Sequence, residues 1–274
     1  WNPTGALSIQ GGRYHNRRGS LDFGRGLSPT VAARLNAVYE NSDSYREYFN
    51  LRRYGVSPAV TLFAGGRTSF RAGYEHFSDH RTTDRGVPSF RGRPLPTDPS
   101  TFFGDPVVSF GDVTVNAVTT VLEHRGPAGL TLRNNTRLAD YRKFYQNVFP
   151  GPVNAGGDQV TLTGYNSRLD RRNLFNQTDL TLSLRTGPVQ HQLLAGAELG
   201  HQLSDAFRNT AYFNNAATSV AVPVASPIAS TPVTFRQSSS DADAHTTASA
   251  GSGYLQDQIR LTPLVLAVAR VRYD

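Results

Sequence analysis

Apolar and polar residues alternate along much of the chain. Between Val31 and Glu40 every odd-numbered position is apolar, whereas Arg34, Asn36 and Glu40 are polar. The same period recurs at Val113, Val115, Ala117 and Val121, at Leu130, Leu132 and Leu138, at Leu180, Leu182 and Leu184, and at Leu193, Ala195, Ala197 and Leu199. Because side chains on a β-strand point alternately to its two faces, this period predicts strands that each present one apolar face.

The opposite faces of these predicted strands are polar. Their residues are Arg133, Asn135 and Arg137, then Thr181, Ser183 and Arg185, and finally Gln192, Gly196 and Glu198. The dry core of a soluble β-sandwich rarely accepts so many polar groups. A transmembrane β-barrel does accept them, because one strand face contacts lipid and the other lines a wet interior. The apolar faces are therefore expected to contact lipid.

Tight turns alternate with long connections. The predicted turns are Gly65-Gly66, Gly126-Pro127-Ala128-Gly129 and Gly187-Pro188, and the long connections span residues 79 to 112, 145 to 158 and 205 to 250. Within the last of these, residues 216 to 236 are interpreted as a loop that could contain a hairpin. Outer-membrane barrels have short periplasmic turns and longer extracellular loops, so the pattern predicts about ten to twelve antiparallel strands of such a barrel.

Composition removes several other classes of protein. The chain has no cysteine, which excludes disulfides and thiolate metal sites. Its apolar runs are only a few residues long, too short for a membrane-spanning helix. The chain also has no methionine, and the run that ends at Asp274 has no closing turn. We therefore expect a segment of a longer, exported protein.

The formal net charge is +7, and Lys143 is the only lysine among the 28 basic residues. The arginines are scattered singly and form no recognisable nucleic-acid-binding motif, so no nucleic-acid partner is expected. Two interpretations of the high arginine content are possible from the sequence. It reflects either a bias in composition or a surface that attracts anionic ligands.

Seven histidines invite a metal-site interpretation. His76 and His80 lie near Glu75, Asp79 and Asp84, but four residues along a strand span about 13 Å, too far for two ligands of one ion. The run Gly251-Ser252-Gly253 lacks the spacing of a nucleophile elbow. We therefore predict no metal site, no bound cofactor and no enzymatic activity.

Several stretches resemble the barrel of TonB-dependent siderophore receptors. They are Trp1-Asn2-Pro3, which resembles the junction between plug and barrel, together with Tyr39–Arg46, Asp84–Leu95, Asp98–Pro106, Phe144–Pro150, Asn173–Leu180 and Leu194–Glu198. The resemblance implies that residues 1–274 form roughly the N-terminal half of a 22-stranded, up-and-down barrel. It also implies that the plug domain, the TonB-coupling segment and the C-terminal strands lie outside this sequence.

The resemblance implies energy-coupled uptake of ferric siderophores across the bacterial outer membrane. The expected partners are the siderophore, outer-membrane lipid and the TonB complex, and iron is expected only as cargo. The residues expected to contact ligand are arginines and aromatics of the loops and rim, namely Arg81, Arg85, Arg91, Arg93, Phe102, Phe103, Tyr145, Tyr212 and Phe213. The alternative is that Asp84 and Arg85 brace the loop while Phe102 and Phe103 pack it down.

Other functions stay open at this point. Haem, cobalamin or a glycan could replace the siderophore, because loops set the cargo and the barrel does not. Two alternatives come from other classes of protein. One is a passive porin without energy coupling, and the other is a soluble all-β binding module.

Overall fold

The computed structural model describes residues 2–274 and is built almost entirely from β-strands. Trp1, the first residue of the predicted plug junction, lies outside the described residues. The strands are β1 (Thr4–Gly11), β2 (Arg17–Ser28), β3 (Val31–Asp43), β4 (Asn50–Ala64), β5 (Thr68–Thr82), β6 (Ser89–Phe90), β7 (Arg93–Pro94), β8 (Phe110–Arg125), β9 (Thr131–Val153), β10 (Gln159–Thr186), β11 (Val189–Phe213), β12 (Ser219–Pro223), β13 (Val233–Arg236), β14 (Asp243–Thr262) and β15 (Val265–Tyr273).

The main sheet is an antiparallel meander. Its strands pair in the order β1-β2-β3-β4-β5-β8-β9-β10-β11-β14-β15, while β12 pairs with β10, β13 pairs with β11, and β6 with β7 forms a separate ribbon. The prediction of an all-β, up-and-down arrangement with about ten to twelve strands is confirmed. No helix within residues 2–274 is long and apolar enough to cross a membrane.

The tight turns all lie at one end of the sheet. The three predicted from Gly and Pro are confirmed, and residues 29–30 and 263–264 form two more that the sequence analysis did not identify. Gly65, Gly66 and Gly187 have positive φ angles of 59°, 71° and 62°, which glycine adopts without steric cost. The longer connections lie at the opposite end, which is the extracellular end by the usual asymmetry of such barrels.

Two of the long loops are shorter in the structure than the sequence analysis predicted. The connection predicted at 145 to 158 covers only residues 154–158, because β9 continues to Val153. A register shift between Val160 and Leu162 accommodates the Pro-Gly-Pro stretch before Val153, as β-bulges do. Likewise β11 and β14 take up both ends of the loop predicted at 205 to 250. The hairpin considered within 216 to 236 is absent from the described residues, since β12 and β13 pair with long strands and not with each other.

Cross-strand register assigns every strand residue to one of two faces. We call the face that contains Leu35, Leu138, Leu180 and Leu199 the apolar face, and the opposite one the polar face. Large hydrophobic side chains exposed on the apolar face include Leu21, Phe23, Tyr39, Tyr54, Leu62, Phe70, Tyr74, Val118, Leu138, Leu174, Leu180, Leu199, Leu255 and Val271. The structure confirms that the predicted apolar residues share one face of the sheet, with the exception of those of β8, and their contact with lipid stays a prediction.

The prediction for β8 is wrong. Val113 pairs with Asp79 and Val121 pairs with Arg71, which puts the predicted lipid-facing residues on the polar face. Val118 and Leu122 lie on the apolar face instead, opposite Tyr74 and Phe70. The physical reason is that β8 carries apolar residues on both faces, so its own alternation does not decide which face is outward.

Four polar side chains interrupt the apolar face and satisfy one another. The Asn134 amide donates to Thr178 Oγ1 at 2.8 Å and to Asn176 Oδ1 at 3.2 Å, and the Asn176 amide donates to Thr136 Oγ1 at 2.7 Å. Since lipid offers no hydrogen-bond partners, a closed network of this kind limits the cost of placing polar groups there.

On the polar face, aromatic rings cover two glycines. A Cβ added to Gly196 would lie 2.2 Å from the Tyr254 ring, and one added to Gly200 would lie 3.0 Å from Phe175. The Tyr254 hydroxyl donates to Asp179 and accepts from the Gln177 amide. The small residue and the large ring thus fix the packing of three neighbouring strands.

We expect Gly196→Ala to destabilise the barrel by about 1–2 kcal/mol, because the added methyl would push Tyr254 away from its partners on β10. Gly19→Ala is the control, since nothing lies within 4 Å of a Cβ at Gly19. The thermal unfolding of the purified receptor that carries this barrel is the measurement. Equal unfolding temperatures for the two variants would contradict the packing role of Gly196.

Candidate ligand-binding site

The connection between β5 and β8, residues 83–109, lies over the extracellular part of the sheet, and we call it the β5–β8 loop. Its Arg85 guanidinium carbon lies 3.6 Å from the centroid of the Phe149 ring. Arg85 donates hydrogen bonds to the hydroxyls of Tyr165 at 2.8 Å and Tyr145 at 3.2 Å. A loop residue is thereby held against the polar face of β9 and β10.

A second arginine approaches the same rings from β11. The Arg208 guanidinium carbon lies 4.0 Å from the centroid of Tyr165. The Tyr165 centroid lies 5.4 Å from that of Tyr145 and 5.8 Å from that of Phe149. We call Arg85, Tyr145, Phe149, Tyr165 and Arg208 the arginine–aromatic cluster. Two permanent positive charges and three partly exposed rings suit an anionic ligand with apolar or aryl surface.

A buried ion pair sets the position of Arg85. Arg46, in the connection between β3 and β4, bonds Asp84 through Nε at 2.6 Å and a terminal nitrogen at 3.0 Å, and both side chains are only 8% exposed. Arg46 also donates to the Pro99 carbonyl at 2.6 Å. Asp84 Oδ1 accepts the Gly86 N–H at 2.8 Å. Asp84 therefore fixes the bend from which the Arg85 side chain emerges.

The hydrophobic core of the extracellular end supports the cluster. Phe103 and Phe213 are 1% and 2% exposed, and they pack in one core with Val148, Leu162 and other residues of β9 to β12. Gly104, with a φ of 148°, passes so close to β9 that a Cβ would lie 2.0 Å from the Val148 carbonyl oxygen. The loop approaches β9 this closely because position 104 has no side chain.

Three of the residues expected to contact ligand are buried: Phe103 and Phe213 belong to this core, and Phe102 packs edge-on against Tyr48. Phe102, Phe103 and Phe213 are at most 2% exposed, so this expectation is corrected. Their burial agrees with the alternative that Phe102 and Phe103 pack the loop down. Without an accessible surface they hold the loops in place and present nothing to a ligand.

The other expected residues lie apart from one another, with one exception. Arg85 and Tyr145 come together in the cluster. The remaining four are placed elsewhere: Arg81 pairs with Asp79 at 2.5 Å, Arg91 covers Phe90 at 4.8 Å, Arg93 is exposed on β7, and Tyr212 lies beneath Arg236 at 3.7 Å.

Three members of the cluster were missed by the sequence analysis, namely Phe149, Tyr165 and Arg208. Phe149 lies in the stretch that had been assigned to a loop. Alternation of Tyr145, Asn147 and Phe149 was the available signal for a strand, since all three share one face. No sequence signal could have linked β10 and β11 to Arg85.

Asn147 is a buried neighbour of the arginine–aromatic cluster and contacts Tyr145. It is 1% exposed, and its amide donates to the Tyr145 hydroxyl at 3.0 Å. Its Oδ1 atom is buried and has no hydrogen-bond partner within residues 2–274. Asn147 therefore orients Tyr145 and keeps an unused acceptor beside it, which is costly in the absence of a donor.

Charge around Arg208 is balanced by Asp241, whose carboxylate lies 3.3 Å from the Arg208 Nε. Burial raises the pKa of Asp241, but donation from the Ser238 N–H and the Thr210 hydroxyl outweighs burial and leaves the pKa below its usual value. The Asp241 carboxylate stays ionised at neutral pH and anchors the loop after β13 to β11.

Histidine side chains at this end form pairs and not clusters. His80 Nδ1 lies 2.6 Å from Asp112, and His76 Nδ1 lies 2.8 Å from Asn116. Among residues 2–274, no group of three His, Asp or Glu side chains is arranged to hold a metal ion.

We expect Asp84→Asn to loosen the β5–β8 loop locally by about 3 kcal/mol, because it leaves the Arg46 charge buried without a carboxylate. Arg93→Gln, in the same loop but exposed, is the matched control. Hydrogen exchange of residues 83–109 in the intact receptor measures the effect. If exchange were as slow as in the control, the ion pair would not be what holds the loop.

The chain was compared with known proteins. No family model matches it. It is 28% identical over 207 residues to the catecholate siderophore receptor Fiu of Escherichia coli K12, a match that covers 66% of this chain and 27% of Fiu. It is 25% identical over 201 residues to the metal-pseudopaline receptor CntO of Pseudomonas aeruginosa, covering 70% of this chain and 27% of CntO. The chain thus spans about a quarter of these curated relatives.

Solved structures share the fold over nearly the whole chain. The siderophore receptor PiuA of Acinetobacter baumannii superposes with a TM-score of 0.85 at 20% identity, covering 99% of this chain and 42% of PiuA. The open form of Fiu from E. coli K12 gives a TM-score of 0.79 at 23% identity and covers 97% of this chain and 43% of Fiu. The ferripyoverdine receptor of P. aeruginosa gives 0.82 at 14% identity, covering 99% of this chain and 37% of the receptor.

These relatives are named as receptors of the outer membrane or of siderophores and none is named as an enzyme, in agreement with the predicted class and location. What this chain shares with the solved structures is the overall fold of its antiparallel sheet. The chain is therefore similar in fold to outer-membrane siderophore receptors and, over about two thirds of its length, similar in sequence to the catecholate siderophore receptor Fiu.

Proposed function

We propose that this barrel belongs to a receptor that imports a ferric siderophore across the outer membrane with energy supplied through TonB. The observation that carries the proposal is the 28% identity to a catecholate siderophore receptor over 66% of the chain. Because the match covers only 27% of that receptor, transport and TonB coupling are proposed for the whole protein to which this chain contributes.

We propose that the arginine–aromatic cluster is the ligand-contacting part of this chain. Ferric catecholates are anionic and carry flat aryl rings. Arg85 and Arg208 would donate to catecholate oxygens, while Tyr145, Phe149 and Tyr165 would cover the rings. Binding would displace Arg85 from its tyrosine partners, and the ligand oxygens would replace those acceptors.

We propose the four remaining predicted residues as secondary candidates for ligand contact. Arg81, Arg91, Arg93 and Tyr212 lie on the polar face or in loops at the same end of the sheet, where a large ligand would pass. Because each of these residues lies outside the arginine–aromatic cluster, their proposed role is a first contact with the ligand before it reaches the cluster.

A second cargo is favoured by one observation, the 25% identity to CntO, whose name describes a metal-pseudopaline receptor. The name of CntO gives a chelator different from the catecholate in the name of Fiu. The two cargoes therefore predict different dependence on the aromatic members of the cluster.

We expect Arg85→Ala and Arg208→Ala each to raise the Kd for an iron-loaded catecholate siderophore about tenfold, because each removes charge-assisted hydrogen bonds worth about 1.5 kcal/mol or more. Arg185→Ala is the control, since Arg185 lies on the polar face at the turn end. Quenching of intrinsic fluorescence in the purified receptor measures Kd. Unchanged affinity in both cluster variants would reject the cluster as the binding site.

We expect Tyr165→Leu to separate the cargoes. Loss of the stacking ring should weaken a ferric catecholate about tenfold and leave a pseudopaline-type complex nearly unaffected. Growth of a receptor-deficient strain on each iron source, with the receptor supplied in trans, is the accompanying test. Rescue by neither chelate, but by haem or cobalamin, would contradict the proposed cargo.

A further inference from the structure

The hydroxyl groups of Tyr145 and Tyr165 meet at one edge of the Arg85 guanidinium group. Tyr145 accepts a hydrogen bond from Arg85 Nε at 3.2 Å, and Tyr165 accepts one from a terminal nitrogen at 2.8 Å. The two ring centroids are 5.4 Å apart, and both side chains are partly exposed. Two phenol oxygens of adjacent strands are therefore neighbours on the polar face.

Both of these oxygens act only as acceptors. Within residues 2–274, neither hydroxyl finds an acceptor for its own proton, and the Tyr145 oxygen takes a second hydrogen bond, from the buried Asn147 amide at 3.0 Å. A hydrogen bond to an ionised oxygen is stronger than one to a neutral oxygen, so the same N–H groups would hold a phenolate more tightly. Arg208 adds a positive charge 4.0 Å from the centroid of the Tyr165 ring.

Tyrosine oxygen is a known ligand of iron in proteins. A bare metal ion does not suit this position, because Arg85 and Arg208 would repel it and no group of three His, Asp or Glu side chains within residues 2–274 is arranged to hold one. An iron chelate with net negative charge does suit it. If the chelator has too few donor atoms to fill the octahedral coordination of ferric iron, the open positions hold water that a phenolate can replace.

We propose that Tyr145 and Tyr165 complete the iron coordination of an anionic ferric chelate whose chelator leaves two positions open. This inference rests on the proposed function and narrows the class of ligand within it. The chelate oxygens take over the Arg85 donors, which frees the two phenol oxygens. Each phenol then loses its proton to solvent and forms one Fe–O bond as one water leaves the iron. The iron stays ferric throughout, so the step requires no oxidant or reductant.

Arg85 has a second effect in the absence of ligand. By donating to both hydroxyls it keeps the two oxygens together before the chelate arrives. Asn147 is 1% exposed, so its amide stays on the Tyr145 oxygen when Arg85 turns towards the chelate. One N–H donor therefore remains to stabilise the phenolate after the exchange.

The test uses the full-length receptor that carries this barrel, purified in detergent, and two probes. One probe is the ferric complex of a linear bis-catechol chelator, which leaves iron positions open, and the other is the ferric complex of a tris-catechol chelator, which leaves none. Resonance Raman spectra of receptor made with ring-deuterated tyrosine identify iron-bound tyrosine, because only its bands shift on deuteration. We expect shifted bands with the bis-catechol complex and none with the tris-catechol complex.

The variant Y145F/Y165F removes both oxygens and keeps both rings, so stacking on the ligand is preserved. We expect it to abolish the tyrosine bands and to raise the Kd for the bis-catechol complex about tenfold or more, with a change below about threefold for the tris-catechol complex. Retained binding of the tris-catechol complex shows that the variant is folded. The matched control is Y141F, because Tyr141 lies on the same face of β9, opposite Arg171, and it should change neither the bands nor the affinities.

A bis-catechol complex that binds the wild type without any deuterium-sensitive band would overturn the inference. Equal weakening of both complexes in Y145F/Y165F would do the same, since the two oxygens would then serve only as hydrogen-bond partners. Binding of the tris-catechol complex alone would overturn the inference and leave the proposed function intact. A wild-type receptor that binds neither complex would overturn both.

Discussion

In the hydrocarbon layer of a membrane, no water is available to the peptide groups, and each must find its hydrogen-bond partner within the protein. Within residues 2–274 each main strand from β2 to β14 meets that constraint by pairing with a neighbour on both sides in an antiparallel ladder, and β1 and β15 each pair on one side. The ladder fixes the register, and the register fixes which side chains share a face. The leucines of the apolar face, the residues of the polar face and the arginine–aromatic cluster all take their positions from the same set of backbone hydrogen bonds.

This constraint no longer applies where the strands extend beyond the membrane, because water and loops there can supply hydrogen-bond partners. Strands β9, β10 and β11 continue beyond the hydrophobic band, and the loops cover the same face that contacts lipid lower down. Val148, Val160 and Leu162 are fully buried there, whereas Leu138 and Leu199 on that face are exposed. The same strand face is therefore exposed lower down and covered by a dry loop core at the outer edge of the sheet. This loop core makes the outer edge rigid.

That rigidity explains how a loop can position a binding residue. The buried pair between Arg46 and Asp84 joins two connections, and Phe103 anchors the β5–β8 loop in the core. Arg85 then meets Tyr145 and Tyr165 on a wall that is itself fixed by strand pairing. Arginine is well suited to this position because the face of its guanidinium group stacks on aromatic rings while its N–H groups donate hydrogen bonds in the guanidinium plane. The same residue can be released when a ligand offers better acceptors.

Sequence alone determined the features that are local. Two-residue alternation gave the β-strands and most of the lipid-facing residues, and Gly and Pro gave three tight turns, because both depend on neighbours along the chain. The length of β9 was misjudged because its Pro-Gly-Pro stretch is typical of a loop. Its pairing on both sides outweighed that local preference.

Tertiary structure decided the features that depend on distant residues. The outward face of β8 was set by its neighbours, since its own apolar residues occupy both faces. Phe102, Phe103 and Phe213 were as plausible for ligand contact as Phe149, and only the folding of the loops buried the first three. Arg85 and Tyr165 are 80 residues apart, and Arg208 is further still. Alternation fixes a side chain's position relative to its own strand, whereas a binding site requires the positions of several strands and loops relative to one another.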